Sequence, residues 1–303
     1  MTILTNKIPI TTEVIHRKAY AKVNLFLNVV NRRLDGYHNL EMINARIDLA
    51  DDLFFMVGGE QIVTIKSNDP YFYSEDNLIK KVAQYLLSIY DPHQKVTIQI
   101  DKRIPPGGGL GGNSADAAAV IMGLNDLFGW GMSLATMTEM ACHFGADIPY
   151  CLYDSPALVK GIGNDVSELD LDLSLYKVLV VKPKIFVSTD EVFCQGDVDG
   201  FGHYDISPLL AAISEHRSQD IIDNLHNSLE EATFSRYPEI KKIKTELMCN
   251  VGPKGVVMTG SGSTIIKLIT EVTPDISHYI SGYSDKYSLN IYNFIKKTRE
   301  KTF

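Results

Sequence analysis

Five of the six residues from Gly107 to Gly112 are glycine, and this run constrains the chain more than any other feature. It follows two prolines and the alternating segment 96–100, which is typical of a strand. The alanine-rich segment 117–124 after it is typical of a helix. Glycines leave backbone N–H groups accessible, and a helix N-terminus adds further unpaired donors. The segment therefore predicts a strand, a loop and a helix that together bind a phosphate group.

The length and charge of the chain limit its class. A chain of 303 residues exceeds one small core, so we expect two domains, 1–160 and 161–303. The net charge of −8 disfavours a nucleic-acid partner, which needs a basic face. No segment approaches the roughly 20 apolar residues that span a bilayer, and residues 1–15 lack the apolar centre of a signal peptide. These properties predict a cytoplasmic protein without a nucleic-acid or membrane partner.

The four cysteines and eight histidines show no spacing typical of metal ligands. No C-x-x-C pair occurs among Cys142, Cys151, Cys194 and Cys249, so we expect reduced thiols that pack as small apolar groups. The histidines form no H-x-x-x-H pair, which disfavours a zinc site.

The periodicity of apolar residues predicts the secondary structure. Alternation predicts strands over 17–30, 40–47, 52–57, 95–100 and 176–182. Helical spacing predicts helices over 77–89, from the glycine run to 128, and over 133–145, 207–215, 220–231 and 238–249. Asp76 is the expected N-cap of the first helix. Residues 195–207 are expected to be irregular, and 256–268 to form a strand, a glycine turn and a strand.

The glycine run by itself leaves several interpretations open. It is not a Walker-type loop, because no lysine follows the glycines. Gly107, Gly109 and Gly112 satisfy the G-x-G-x-x-G pattern of dinucleotide folds, but no strand ending in an acidic residue lies about 20 residues further on. A glycine turn that only permits close backbone packing is a third possibility.

Two other segments favour a different interpretation. Pro105-x-x-x-Gly109-Leu110-Gly111, with Ser114-Ala115, resembles the phosphate loop of the GHMP kinases, a family of small-molecule kinases. Segment 19–27 (AYAKVNLFL) resembles the N-terminal motif of that family, and segment 258–264 (MTGSGST) resembles its C-terminal glycine turn. The resemblance implies a two-domain α+β fold. Its N-terminal domain would resemble ribosomal protein S5 domain 2, its C-terminal domain would be ferredoxin-like, and the active site would lie between them.

Further segments resemble one branch of the family. Residues 35–38 (DGYH) and 145–149 (GADIP) are the discriminating ones, supported by 75–79 (EDNLI) and 101–105 (DKRIP). This branch phosphorylates the 2-hydroxyl of an erythritol linked to cytidine diphosphate, with ATP and Mg²⁺, in non-mevalonate isoprenoid precursor synthesis. A mevalonate- or homoserine-type kinase and a non-catalytic ligand sensor remain open as alternatives. The expected partner is this small molecule, and the expected oligomeric state is a monomer or homodimer.

The resemblance also implies roles for individual residues. Asp147 matches the catalytic base, and Lys22 matches the lysine that keeps this carboxylate ionised and polarises the acceptor hydroxyl. Asn24 lies two residues on, on the same strand face, and is expected to bind erythritol hydroxyls. Tyr37 and His38 match the cytidine site, where an aromatic ring stacks on the base, and Phe193 is the candidate for the opposite wall.

The remaining implied contacts are to ATP. The residues expected around its phosphates are Pro105, Pro106, Gly107, Gly108, Gly109, Leu110, Gly111, Gly112, Asn113, Ser114 and Ala115. Ser114 is expected near Mg²⁺, and Asn77, Leu78 and Lys102 are expected near the adenine. Asn113 stands where the family has glycine or serine, and we expect it to act as an N-cap.

Overall fold

The structure of the protein, a computed structural model, describes residues 14–70, 74, 77–271, 273 and 275–295. The N-terminal segment 1–13 and Asp76, the predicted helix cap, lie outside the described residues. No helix among the described residues is long and apolar enough to cross a bilayer.

The strands of the described part of the chain are β1 (Val14–Arg32), β2 (His38–Val57), β3 (Val63–Ser67), β4 (Val96–Asp101), β5 (Ala157–Gly161), β6 (Asp165–Glu168), β7 (Lys177–Pro183), β8 (His226–Asn227), β9 (Val256–Met258), β10 (Ile265–Ile269) and β11 (Tyr287–Asn293). The helices are α1 (Leu78–Tyr90), α2 (Gly112–Phe128), α3 (Leu134–Cys142), α4 (Thr189–Asp199), α5 (Ser207–Ser214), α6 (Ser218–Asp223), α7 (Glu230–Arg236), α8 (Pro238–Val251) and α9 (Ser277–Tyr283).

The first sheet is built on the long antiparallel pair of β1 and β2. The strand order is β3-β4-β2-β1-β8, and β5 and β6 extend from β2 as a hairpin. The β1–β2 register shifts on either side of the pairs Lys22–Arg46 and Asn24–Asn44. Such bulges bend a strand and redirect its side chains. Here they lie at the centre of the sheet, where Lys22 and Asn24 are both buried.

Helix α2 packs on this sheet through its alanine-rich first half. Ala117, Ala118 and Ala119 are fully buried. A Cβ atom at Gly123 would lie 2.4 Å from the Phe55 ring, so the helix approaches the sheet too closely for a larger residue. Because small residues bring α2 down onto the sheet, the glycine run before it is held against β1 as well.

The second sheet has the strand order β11-β7-β10-β9, with each neighbouring pair antiparallel. In order along the chain, helices α4 to α8 separate its first two strands and α9 separates its last two. This is the ferredoxin-like arrangement. The predicted α+β class, with two packed sheets, is confirmed.

The sheets do not divide the chain at residue 160. That position falls inside the β5–β6 hairpin, and the change to the second sheet comes between β6 and β7. Strand β8 then returns to the first sheet, where it pairs in parallel with β1 at Phe26 and Leu27. Such strand pairing is a long-range property that local composition does not report.

Two predictions of secondary structure are wrong in part. The helix expected over 220–231 is divided into α6 and α7 by β8, because the buried Asn227 amide donates to the carbonyls of Met258 and Gly260. The first residues of segment 195–207, expected to be irregular, belong to the last turn of α4, whose N-cap Ser188 accepts a hydrogen bond from the Glu191 backbone. Ser188 and Glu191 have the spacing of a capping box, so the sequence did contain a signal for the start of this helix.

The glycine run contacts the glycine turn of the second sheet by direct backbone packing. A Cβ atom at Gly109 would lie 2.1 Å from the Thr259 carbonyl oxygen, and one at Gly260 would lie 3.0 Å from the Gly109 Cα. The Thr264 N–H donates to the Gly108 carbonyl at 3.3 Å. The two sheets therefore meet at a point where only glycine fits.

Replacing Gly109 with alanine should separate these two backbones. Gly129 is a matched control, because its φ of +63° resembles the +73° of Gly109 while nothing lies within 4 Å of its missing Cβ. We expect Gly129→Ala to lower the free energy of unfolding by about 1–2 kcal/mol, the cost of left-handed backbone. Gly109→Ala should cost at least about 2 kcal/mol more because of the overlap with Thr259. Urea unfolding measures both; equal losses would contradict the close packing.

Candidate active site

A cavity of about 270 Å³ lies where the glycine run, the first sheet and the second lobe meet. We call the second lobe the part of the chain built on the second sheet, together with its helices. The lining residues of the cavity come from seven segments of the chain. They include Lys22, Met42, Lys102, the run from Pro105 to Ser114, Ala146 and Asp147, Val187, Thr189 and Phe193, and the turn from Gly260 to Gly262. The structure thus brings together the three motifs on which the predicted phosphate site depended.

Lys22 and Asp147 form an ion pair at this cavity. The distance from Lys22 Nζ to Asp147 Oδ2 is 3.3 Å. The lysine side chain is only 3% exposed, whereas 34% of the aspartate side chain is accessible. A buried ammonium therefore faces a carboxylate that a ligand can reach. Such a carboxylate can accept a proton from a hydroxyl group placed against it.

Asn24 holds Lys22 in this position. Its Oδ1 accepts from Lys22 Nζ at 2.9 Å and from the Gly260 N–H at 2.8 Å, and its Nδ2 donates to Asn44 Oδ1 at 2.7 Å. Asn24 is fully buried and is not among the lining residues. Both ends of its amide are bonded inside the protein, and its contact with substrate hydroxyls stays a prediction.

The first turn of α2 presents backbone donors to the cavity. The helix begins at Gly112, and its N-cap is Gly111 in the left-handed conformation, without a side-chain cap. Asn113 is therefore not the N-cap that the sequence predicted, and its side chain is exposed. An uncapped N-terminus leaves its first N–H groups free for an anion. Ser114 lies in the same turn and lines the cavity.

Gly111 also sets the distance between the glycine run and Lys22. A Cβ atom there would lie 2.8 Å from Lys22 Cγ. The Lys22 N–H donates to the Leu110 carbonyl at 2.9 Å, which joins the run to β1. The catalytic candidate and the predicted phosphate loop are thus held together by both backbone and side chain.

Lys102 lies between two buried carboxylates beside the glycine run. Its Nζ is 2.5 Å from Asp51 Oδ2 and 2.6 Å from Asp116 Oδ2. Burial, together with the neighbouring Asp51, raises the pKa of Asp116 to about 8 despite the attraction of Lys102. Asp51 also accepts hydrogen bonds from the Arg103 and Ile104 N–H groups. Neither aspartate was singled out from the sequence, because the cluster joins β2, β4 and α2 across long separations.

Asn77, another residue predicted near the adenine, is the N-cap of α1 in the structure. It is buried, and its Oδ1 caps α1 by accepting from the Ile79 N–H at 2.8 Å. Neither Asn77 nor Leu78 is among the lining residues of the cavity. Asn77, in place of Asp76, is thus the cap of this helix.

Two of the three residues predicted for a cytidine site, His38 and Phe193, form an aromatic cluster with Phe201, and Phe193 lines the cavity. The His38 ring stacks on Phe193 with 4.8 Å between centroids and meets Phe201 edge-on at 5.5 Å. Its Nε2 is 2.8 Å from Asp197 Oδ1. Tyr37, by contrast, is 63% exposed. The sequence reasoning missed Asp197 and Phe201, which lie in and just after α4, within the segment expected to be irregular.

Comparison with known proteins identifies similar sequences over most of the chain. Residues 77–155 match the family model described as the GHMP kinases N terminal domain. The chain is 40% identical over 286 residues to the 4-diphosphocytidyl-2-C-methyl-D-erythritol kinase of Thermoanaerobacter pseudethanolicus. That alignment covers 94% of this chain and 96% of the relative.

Solved structures extend the comparison to the fold. A crystal structure of 4-(cytidine 5'-diphospho)-2C-methyl-D-erythritol kinase has a TM-score of 0.75 at 29% identity, and covers 93% of this chain and 100% of that chain. The homoserine kinase of Cytophaga hutchinsonii has a TM-score of 0.70 at 17% identity, over 94% of this chain and 96% of that chain. The second likeness shows a shared fold alone.

Asp116 should make the stability of the protein depend on pH. The unfolded carboxyl ionises near its ordinary pKa of 3.8, while the folded one stays protonated up to about pH 8. The folded state therefore loses stability as pH rises through this window. Asp116→Asn cannot titrate, so its stability relative to wild type should increase by at least about 1 kcal/mol from pH 5 to pH 8. Urea unfolding at both values measures this, with exposed Asp165→Asn as the control. A difference that is constant with pH would contradict the raised pKa.

Proposed function

Because the chain belongs to the GHMP kinase family, among the 4-diphosphocytidyl-2-C-methyl-D-erythritol kinases, we propose that it transfers the γ-phosphoryl group of ATP to the 2-hydroxyl of that substrate. The observation that carries the proposal is the Lys22–Asp147 pair beside the glycine run. The reaction forms an O–P bond to the acceptor, releases ADP, and frees one proton from the hydroxyl group. It belongs to isoprenoid precursor synthesis, and we place it in the cytoplasm, where ATP is available.

Asp147 accepts the proton of the acceptor hydroxyl as the phosphoryl group is transferred. Its partial exposure allows the substrate to reach it, and the buried Lys22 ammonium lies 3.3 Å from its Oδ2. Lys22 also opposes the negative charge that develops on the transferred group. In phosphoryl transfer such positioning and charge neutralisation supply most of the catalysis.

The glycine run and the first turn of α2 hold the ATP phosphates. Both line the cavity, and no side chain between Gly107 and Gly109 stands in the way. Within the described residues no cluster of three or more His, Cys, Asp or Glu side chains forms a metal site. A Mg²⁺ ion would be held by phosphate oxygens, water and the Ser114 hydroxyl, which lies in the first turn of α2 at the cavity. When bound, the ion neutralises charge on the phosphates.

The aromatic cluster selects the cytidine group. Tyr37 is free to stack on the base, and Phe193 lies behind His38 as the second apolar surface. Asp197 accepts from His38 Nε2, which leaves Nδ1 as an acceptor for the amino group of cytosine. Recognition by stacking and by the edge of the base is the usual mode for an unpaired pyrimidine.

Asp147→Asn tests the assignment of the base. We expect kcat to fall by about 10²–10⁴-fold, with the KM for ATP unchanged, because the phosphate contacts remain. The control is Asp165→Asn, an exposed carboxylate on β6 outside the cavity. Steady-state turnover of 4-diphosphocytidyl-2-C-methyl-D-erythritol measures both. A mutant with full kcat would exclude Asp147 as the base, and comparable turnover of mevalonate or homoserine would contradict the proposed substrate.

Tyr37→Ala tests the cytidine assignment. Loss of a stacked base costs about 1–3 kcal/mol, so we expect cytidine diphosphate to bind at least about fivefold more weakly. The affinity for ATP should stay the same. Leu34→Ala is the matched control, because Leu34 is fully exposed in the same turn. Titration calorimetry with both nucleotides separates the effects; an equal loss for ATP would contradict a role confined to cytidine.

A further inference from the structure

Lys182, at the end of β7, is a buried ammonium group without a counter-ion. Only 8% of the residue is exposed. Its three N–H bonds go to neutral oxygens: the carbonyls of Pro183 at 2.8 Å and Ile185 at 3.1 Å, and Ser263 Oγ at 3.1 Å. Among the residues that the structure describes, no carboxylate oxygen lies within 4 Å of its Nζ. The Lys182 ammonium therefore makes all three of its hydrogen bonds, but no carboxylate among these residues balances its positive charge.

An arrangement of this kind is costly for the ligand-free protein. Moving an ammonium from water to a poorly polar site disfavours its charged form unless an anion compensates. Burial accordingly lowers the pKa of Lys182. Neighbouring carbonyl dipoles offset part of this cost, whereas a full negative charge would offset more. The position of Lys182 indicates where that charge comes from.

Lys182 packs against the part of the glycine run that faces the cavity. A Cβ atom at Gly108 would lie 2.7 Å from Lys182 Cε and 3.0 Å from Thr264 Oγ1. The Gly108 carbonyl accepts from the Thr264 N–H, so this peptide is fixed to the second sheet. Gly107 and Gly108 also line the cavity. The Lys182 side chain and the proposed phosphate site therefore contact the same stretch of glycine backbone.

Building on the proposed function, we propose that Lys182 is a positioning residue whose buried positive charge is balanced by the polyphosphate of the bound nucleotide across the Gly108 peptide. It acts on the phosphates through space, and its alkyl chain holds the glycine run against the second lobe. Because the charge lies behind glycine, nothing larger at position 108 would keep the two groups as close. The second lobe thereby contributes to nucleotide binding through electrostatics.

Lys267 provides a matched control on the neighbouring strand β10. It is also buried, with 5% of the residue exposed, and burial lowers its pKa as well. Its Nζ donates to the carbonyls of Lys254 and Gly252, and it too has no carboxylate within 4 Å among the described residues. It does not line the cavity. Lys182 and Lys267 therefore differ mainly in their distance from the glycine run.

The test compares the affinities of Lys182→Gln and Lys267→Gln for ATP and adenosine with those of wild type, by displacement of a fluorescent ATP analogue. Glutamine keeps an N–H donor for the carbonyls and removes the charge. For Lys182→Gln we expect ATP to bind about tenfold more weakly, while adenosine binds as in wild type. For Lys267→Gln we expect both affinities to stay within about twofold, since that charge is remote.

Several outcomes would overturn the inference. They are an unchanged ATP affinity in Lys182→Gln, an equal loss for adenosine and ATP, and an equal loss in both variants. Lys182→Met serves as a second variant of similar volume. Because the unbalanced charge costs stability in the free protein, Lys182→Gln, which keeps N–H donors, should melt at or above the wild-type temperature, and its failure to fold would also contradict the proposal. Wild-type protein that binds no ATP would instead contradict the proposed function.

Discussion

The Asn24 side chain is the interaction on which the rest of the site depends. One amide reaches Lys22, the partner strand β2 through Asn44, and the glycine turn of the second lobe through Gly260. All of these bonds lie out of contact with water, where a missing partner is far more costly than at the surface. Because Asn24 has a single orientation that satisfies them all, it orients Lys22 and the turn together.

The charges around the glycine run are unequal on its two sides. On the side of the first sheet, Lys102 faces two buried carboxylates, so that cluster carries an excess of negative charge or holds a proton. On the side of the second sheet, Lys182 has neutral partners. An anion between them is therefore attracted more strongly to the side of Lys182. The electrostatic potential therefore differs between the two sides of the glycine run. The net charge of −8 does not indicate this local difference.

Much of this molecule could be predicted from its sequence. The strand, glycine run and helix followed from periodicity and glycine content, since those are local properties. The pairing of Lys22 with Asp147 did not follow from spacing, because 124 residues separate them and only resemblance to a family placed them together. Asn24 was placed on the correct strand, but its burial depends on Asn44 and Thr259, which lie on other elements.

The residues that sequence reasoning missed share a physical cause. Asp51 and Asp116 look like ordinary surface acids until β2 and α2 bury them against Lys102. In the sequence, Lys182 is simply the last polar residue of a strand. Its proposed role in nucleotide binding depends on the close contact between its side chain and Gly108. Each owes its properties to a contact between distant segments.

Strand β8 has a consequence for how the chain is made. It contributes only His226 and Asn227 to the first sheet, yet Asn227 also binds the carbonyls of Met258 and Gly260. A ribosome therefore has to synthesise more than two thirds of the chain before the first sheet receives its last strand. Contacts between such distant residues slow folding, because a long loop has to close first. The N-terminal lobe emerges early but stays incomplete, with the β1 edge beside Phe26 and Leu27 open to other partners until β8 arrives.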